Sequence, residues 1–216
     1  MTVVALPNPG KRLRLRRRAP QIIEAAARVF AERGYHGATT QDIADVLGIR
    51  QASLYYYFPS KEGALEVVCL KGVEGFFEAA KAIAAGPGSA ANRLARLIDS
   101  HLSPLLDRSD FVKVFLNERQ HLPTESRRRI GKWSRALERI FEDVLREGVR
   151  KGEFRSDIDT RLTTLAILGM MNAVASWYAK EELPIAYISS EFAHLVVEGI
   201  CKRAPPRRKQ PRPRRS

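Results

Sequence analysis

The stretch at residues 39–65, TTQDIADVLGIRQASLYYYFPSKEGAL, decides how this chain is read. Thr39 or Thr40 can cap a short helix running to Leu47, with Asp42 in its first turn matching the helix dipole. Ile43, Ala44 and Leu47 supply its apolar face, and Gly48 breaks it. A second short helix is predicted over about residues 51–57, and Pro59 prevents its continuation. Ser60 then caps a longer helix from Lys61. Three consecutive tyrosines on a helix point in three directions, so Tyr55, Tyr56 and Tyr57 cannot all pack on one neighbour. The spacing sends Leu54, Tyr57 and Phe58 inward. Gln51, Ser53, Tyr55 and Tyr56 are left facing solvent or something that replaces it.

Two short helices joined by a tight glycine turn form a helix-turn-helix pattern. The second helix of such a pair fits the major groove, which is about 12 Å wide, with residues near its N-terminus reaching base edges. A phenol is a rigid donor that can hold a phosphate oxygen at little entropic cost. On this reading one ring packs and two touch the duplex.

Charge points the same way. The formal net charge is +13, and 14 of the 37 Lys and Arg lie in residues 1–18 and 202–216, which hold no acid. The body between is left with 23 basic against 24 acidic residues. Rich in Pro and Arg and poor in apolar residues, both ends read as disordered basic arms suited to a polyanion. An apolar content of 44% with 28% charged residues is otherwise ordinary for a globular protein. Cys69 and Cys201 sit far apart in apolar helical contexts and read as small hydrophobes in a reducing compartment. No apolar run suggests a membrane span and no signal peptide is evident, so a cytoplasmic location is expected.

Nearly every other segment carries a helical period, and none alternates like a strand. Helices are predicted over residues 20–33, 61–85, 89–102, 109–122, 124–151, 160–180 and 185–201. Their stops are Gly34, the GPG at 86–88, Pro104, Pro123, the turn KGEFRSDID and the EELP at 181–184. The segment at 160–180 is apolar on nearly every face, which predicts contact both with its own core and with a second subunit. Ala166, Gly169 and Ala173 would permit close helix approach. The fold class is therefore all-α.

The full segment GYHGATTQDIADVLGIRQASLYYYFPSKEGAL, with AAARVFAERGY before it, resembles the DNA-binding segment of the TetR family of bacterial transcriptional regulators. The resemblance implies an N-terminal three-helix helix-turn-helix domain over 19–66 and a helical ligand-binding and dimerisation domain over 67–202. Basic arms at 1–18 and 203–216 would flank them. By position, Thr40 and Gln41 would open the first motif helix at the phosphate backbone, and Gln51, Ala52 and Ser53 would occupy base-reading positions. Tyr55 and Tyr56 match aromatic backbone contacts, and Lys61 a phosphate clamp. Arg50 departs from a commoner small polar residue and would add a phosphate or guanine contact. The implied partners are near-palindromic double-stranded DNA, a second copy of the chain bound through helices near 160–201, and a small-molecule effector that releases a repressor.

The second half also resembles regulators of fatty-acid and steroid degradation, many of which answer to acyl-CoA thioesters. VFLNERQHLPTESRRRI, Asn172 and Trp177-Tyr178 carry that likeness. It implies an effector pocket with Phe76, Phe111, Phe115, Met170, Met171 and Trp177 as walls, Arg119 and Arg127 to Arg129 as cationic partners, and Asn172 as a polar group inside an apolar helix. Three alternatives stand beside this reading: a different hydrophobic or drug-like effector, an all-helical enzyme, and an architectural DNA binder without sequence preference. His36, His101, His121, His194 and the two cysteines show no metal-ligand spacing, and no nucleophile–base set is apparent, so no catalytic residue, metal or cofactor is assigned. An architectural binder would lack the specificity ratio of ~10³ or more expected of a regulator.

Overall fold

The computed structural model describes residues 9–201, with side chains described at 18–73 and 76–201. Over the described residues the chain forms α1 (Pro9–Gly37), α2 (Thr40–Val46), α3 (Gln51–Leu54), α4 (Lys61–Ala85) and α5 (Ala90–Leu102). These are followed by α6 (Ser109–Asn117), α7 (Thr124–Arg150), α8 (Thr160–Trp177) and α9 (Ile185–Ile200). Short 3-10 turns fall at Ser103–Leu105, Arg119–His121 and Tyr178–Lys180. Among the described residues the β-structure amounts to one isolated bridge, Phe154 with Cys201.

Two cores organise the helices. Ile22, Phe30, Ile43, Leu54, Phe58 and Leu65 form the first, joined by Val68, Val114, Leu122 and Ile130. Leu94, Leu97, Ile98, Phe141, Leu145, Phe154, Ile167, Met171 and Ile188 belong to the second. Helix α4 touches both: Leu65, Val68 and Cys69 lie in the first, Ala80 and Ile83 in the second. A single helix shared by two cores transmits a shift in one to the other, because close-packed interiors yield little.

The caps explain why the elements start where they do. Thr39 accepts from the Asp42 amide at 3.1 Å, and Asp42 accepts from the Thr39 amide at 2.8 Å, a reciprocal capping box. The hydroxyl of Thr39 and the nearby Arg33 guanidinium hold the Asp42 carboxyl below its usual range. Ser60, Ser89 and Asp159 cap α4, α5 and α8 more simply, each side chain accepting one backbone amide of the first turn. Gly34 and Gly48 take the left-handed backbone, at φ 67° and 61°, which a β-carbon resists.

Four expectations are corrected. Helix α1 begins at Pro9 rather than near 20, so residues 9–18 of the expected basic arm are helical; the expected stop at Gly34 is a kink with non-helical backbone, after which a last turn runs to Gly37. Residues 1–8 and 202–216, which hold the rest of that arm and the basic tail, lie outside the described residues. Helix α3 ends at Leu54 rather than residue 57: Tyr55–Tyr57 form a turn, because Pro59 lacks an N–H and pushes Phe58 out of helical geometry. Helix α6 stops at Asn117 rather than 122, where Glu118 is drawn away to another helix. Finally, Thr160–Lys180 is, by length and composition, apolar enough to cross a membrane. In the fold, Ile167, Leu168, Met171 and Val174 pack into the second core and the opposite side remains exposed.

Candidate functional site

The helix-turn-helix presents a polar, aromatic face. Leu54 and Phe58 are buried, while Tyr55 and Tyr56 are 50% and 62% exposed and Tyr57 is half-buried. Gln41, Arg50 and Ala52 are exposed; Thr40, Gln51, Ser53 and Lys61 are half-buried. Hydrogen bonds lock the relative positions of these elements. Gln51 Nε2 donates to Thr40 Oγ1 at 2.7 Å, joining the first turns of α3 and α2. Gln41 Nε2 donates along its own helix to Asp45 Oδ1 at 2.6 Å.

Lys61, expected as a phosphate clamp, donates to the Ala38 carbonyl at 2.8 Å and stands 4.3 Å over the Tyr35 ring. An ammonium has three donors, so this bond holds the start of α4 against the end of α1 without exhausting the cation.

A polar junction ties this domain to the rest. Glu118 Oε2 accepts from the Tyr35 amide at 2.8 Å, reaching the tail of α1 from the end of α6. The Tyr35 hydroxyl donates to Glu62 Oε1 at 2.6 Å. Burial and that carboxylate push the Tyr35 phenol up to about 12, so it remains a donor. His121 stacks on Tyr35 at 5.3 Å and meets His36 edge-on at 4.5 Å. Neither the two histidines nor Glu118 was singled out in the sequence for this role, and no local pattern would reveal it, since the partners are 83 residues apart.

A cavity of about 280 Å³ lies between α4, α5, α6, α7 and α8. Its walls include Phe76, Phe77, Leu105, Phe115, Leu137, Leu168 and Met171, and its polar groups are His101, Arg119, Ser134, Glu138 and Asn172. Five expected pocket residues are therefore gathered: Phe76, Phe115, Arg119, Met171 and Asn172. Two are not. Phe111 faces the first core and carries Arg108 at 5.0 Å over its ring, and Trp177 packs against Phe192 at 6.5 Å. A helix turns about 100° per residue, and both rings fall on a neighbouring face. Met170 is likewise absent from the lining. Asn172 is not a buried, unpaired amide either: it is exposed on the single chain, and its Oδ1 is 3.1 Å from His101 Nε2.

Beside the cavity runs a groove lined by Arg119, Gln120, Arg127, Gly131, Ser134, Arg135 and Glu138. Arg119, Ser134 and Glu138 line both spaces, so the two adjoin. Glu138 is neutralised by Arg161 at 2.7 Å, and Arg119 lies 4.7 Å over the Phe115 ring. Of the expected trio, only Arg127 lines the groove. Arg128 pairs with Glu125 at 2.8 Å, and Arg129 pairs with Glu66 across to α4. Arg135, two turns on from Arg128, replaces them; helical spacing from Arg127 and Gly131 could have found it.

Large apolar side chains stand exposed on both α8 and α9. Leu162 is 64% exposed and Leu195 is 63%, with Leu165 and Tyr187 also open. Ala166, Gly169 and Ala173 lie exposed between them on α8. Large apolar side chains left exposed along one side of a helix mark an interaction face.

Known proteins match both halves. Residues 22–68 match the family described as "Bacterial regulatory proteins, tetR family". Residues 87–200 match "Tetracyclin repressor-like, C-terminal domain". The fatty acid metabolism regulator protein of Bacillus subtilis is 29% identical over 182 residues, covering 83% of this chain and 94% of that protein. The transcriptional repressor KstR2 of Rhodococcus jostii is 26% identical, covering 85% and 91%. Among solved structures, the ketosteroid regulator KstR2 of Mycobacterium tuberculosis superposes with a TM-score of 0.80 at 27% identity, over 86% of this chain and 96% of that one. The regulator FadR from Bacillus subtilis, solved in complex with stearoyl-CoA, gives 0.71 at 28% identity, over 84% and 98%. A helix-turn-helix joined through one long helix to a hollow helical body, matched in both parts, is decisive: the chain belongs to the TetR family of bacterial transcriptional regulators, dimeric DNA-binding proteins that respond to a ligand.

Proposed function

We propose that this protein is a cytoplasmic repressor, without catalytic activity of its own, released from DNA by an acyl-CoA thioester. The observation that carries the effector class is the junction of an apolar cavity with an arginine groove. An acyl-CoA has the same two-part character. Its acyl group belongs among Phe76, Phe115 and Met171, and its phosphates beside Arg119, Arg127 and Arg135, where guanidinium forks pair with phosphate. The stearoyl-CoA bound by the related FadR supports this class. Residues 19–66 form the DNA-binding part and 67–202 the effector and dimer part, although Val68, Val114, Leu122 and Ile130 close the first core from beyond the boundary. Such sharing suits coupling: α4 and Glu118 connect cavity to duplex, and the effector weakens DNA binding only by as much as it prefers the released form.

Acyl-CoAs and the matching free acids are to be screened by thermal melting of the full chain. A thioester at 100 times its dissociation constant should stabilise by ~2.7 kcal/mol, with the free acid giving much less. Equal shifts from acid and thioester would remove coenzyme A from the reading. Arg119→Ala should weaken the thioester more than the acid.

On the DNA side, Gln51, Ala52 and Ser53 read bases, while Thr40, Gln41, Arg50, Tyr55, Tyr56 and Lys61 hold the backbone. With duplexes selected by the native protein from random sequence, Gln51→Ala or Ser53→Ala should lose about 1–3 kcal/mol of discrimination per base pair. Equal losses on selected and random duplexes would contradict the groove assignment.

A further inference from the structure

The cavity contains more polarity than a plain hydrocarbon chain can use. His101 lines it from α5, flanked by the rings of Phe76 at 5.5 Å and Phe141 at 6.3 Å. Its Nε2 meets Asn172 Oδ1 at 3.1 Å. A carboxamide oxygen only accepts, so Nε2 carries the proton, and Nδ1 of the neutral ring is an acceptor. Burial among the rings lowers the His101 pKa below its ordinary value, which keeps the ring in that neutral form. Nδ1 is shielded from solvent and has no hydrogen-bond partner. From α7, Ser134 also lines the cavity, and its Oγ is buried and unpartnered too. Buried polar atoms are nearly always satisfied, and a lost partner is costly. Two orphans contributed to one cavity by two different helices therefore point to a ligand.

Chemistry narrows the ligand. His101 Nδ1 needs a donor, whereas the Ser134 hydroxyl and the Asn172 NH₂ can each donate. A ketone oxygen would satisfy only the donors. A hydroxyl donates to one and accepts from the other.

We propose that the cavity selects an acyl group bearing a hydroxyl along its body, held between His101 with Asn172 and Ser134. The effector is thus a hydroxylated intermediate rather than an unsubstituted fatty acyl group. The reactions supplying it are hydrations or hydroxylations of an acyl thioester, and the reaction consuming it is oxidation of the alcohol. This inference rests on the acyl-thioester reading above.

The test uses the full chain, with octanoyl-CoA against octanoyl-CoA hydroxylated at successive chain carbons, and the same series as free acids. Dissociation constants come from calorimetry. At one chain position the hydroxylated thioester should bind about tenfold tighter than octanoyl-CoA, which corresponds to about 1.4 kcal/mol. In Ser134→Ala and in His101→Phe, each checked for native melting, that ratio should fall toward one. Ser134→Ala removes a single oxygen and keeps the test alive if His101→Phe misfolds. Thioester binding with no preference at any position, or a preference that survives both variants, overturns the hydroxyl inference and leaves the acyl-CoA reading standing. Preference among the free acids without thioester binding does the reverse. Binding of neither series overturns both.

Discussion

Ala166→Arg is expected to leave the subunit folded and to dissociate the dimer, and operator binding goes with it. Ala166 is exposed on α8, one turn from Leu162 and beside Leu165 and Gly169, on the apolar side away from the second core. At the neighbouring Gly169 a β-carbon would meet no atom within 4 Å, so this side of the helix has room in the single chain. In a two-fold interface each substitution counts twice, and an unpaired buried charge costs about 3–5 kcal/mol. The dimer dissociation constant should therefore rise at least about a hundredfold. Sedimentation gives the mass, and fluorescence anisotropy with a selected duplex gives the DNA affinity. A variant that sediments as the native dimer and keeps native affinity would move the interface off α8.

Phe154→Ala should be the most damaging single truncation in the second half. Phe154 is 1% exposed, and its amide and that of Glu153 both donate to the Gly148 carbonyl. The ring lies where a β-carbon on Gly148 would be, at 2.2 Å, so ring and glycine fill one space together. The bridge to Cys201 and the Arg155 amide on the Ile200 carbonyl then fasten the end of α7 to the end of α9. Emptying such a site costs about 3–5 kcal/mol, equivalent to a fall in Tm of roughly 6–20 °C for a chain of this size. Gly148→Ala should destabilise comparably by expelling the ring. A fall of only a degree or two in both would show that the turn is held by something other than this ring.

The DNA-reading half was legible because its signals are local. Thr39 and Asp42 sit three residues apart and make the capping box they suggest. Leu54 and Phe58 are buried and Tyr55 and Tyr56 exposed, as their spacing requires. Where local reading overran, at 55–57 and 118–122, the causes were a proline acting backward along the chain and a carboxylate drawn to a distant helix. The cavity was legible only in part. Phe76, Phe115 and Arg119 were found, but Phe111 and Trp177, assigned to it from the family likeness, face elsewhere, while His101, Ser134 and Arg135 were missed. Apolar periodicity says that a residue is inside, not which of two cores or which hollow it faces.

From its order of residues alone the chain determined an all-helical body, a glycine-turned pair of short helices, and two exposed tyrosines directly after the second of them. Each of these follows from hydrogen bonds and side-chain periods spanning a few residues. Tertiary structure alone decided that Glu118 grips the tail of α1, that His101 meets Asn172, and that an arginine groove adjoins an apolar hollow. The partners in the first two contacts stand more than seventy residues apart, and their meeting is set by how whole helices pack rather than by any local propensity.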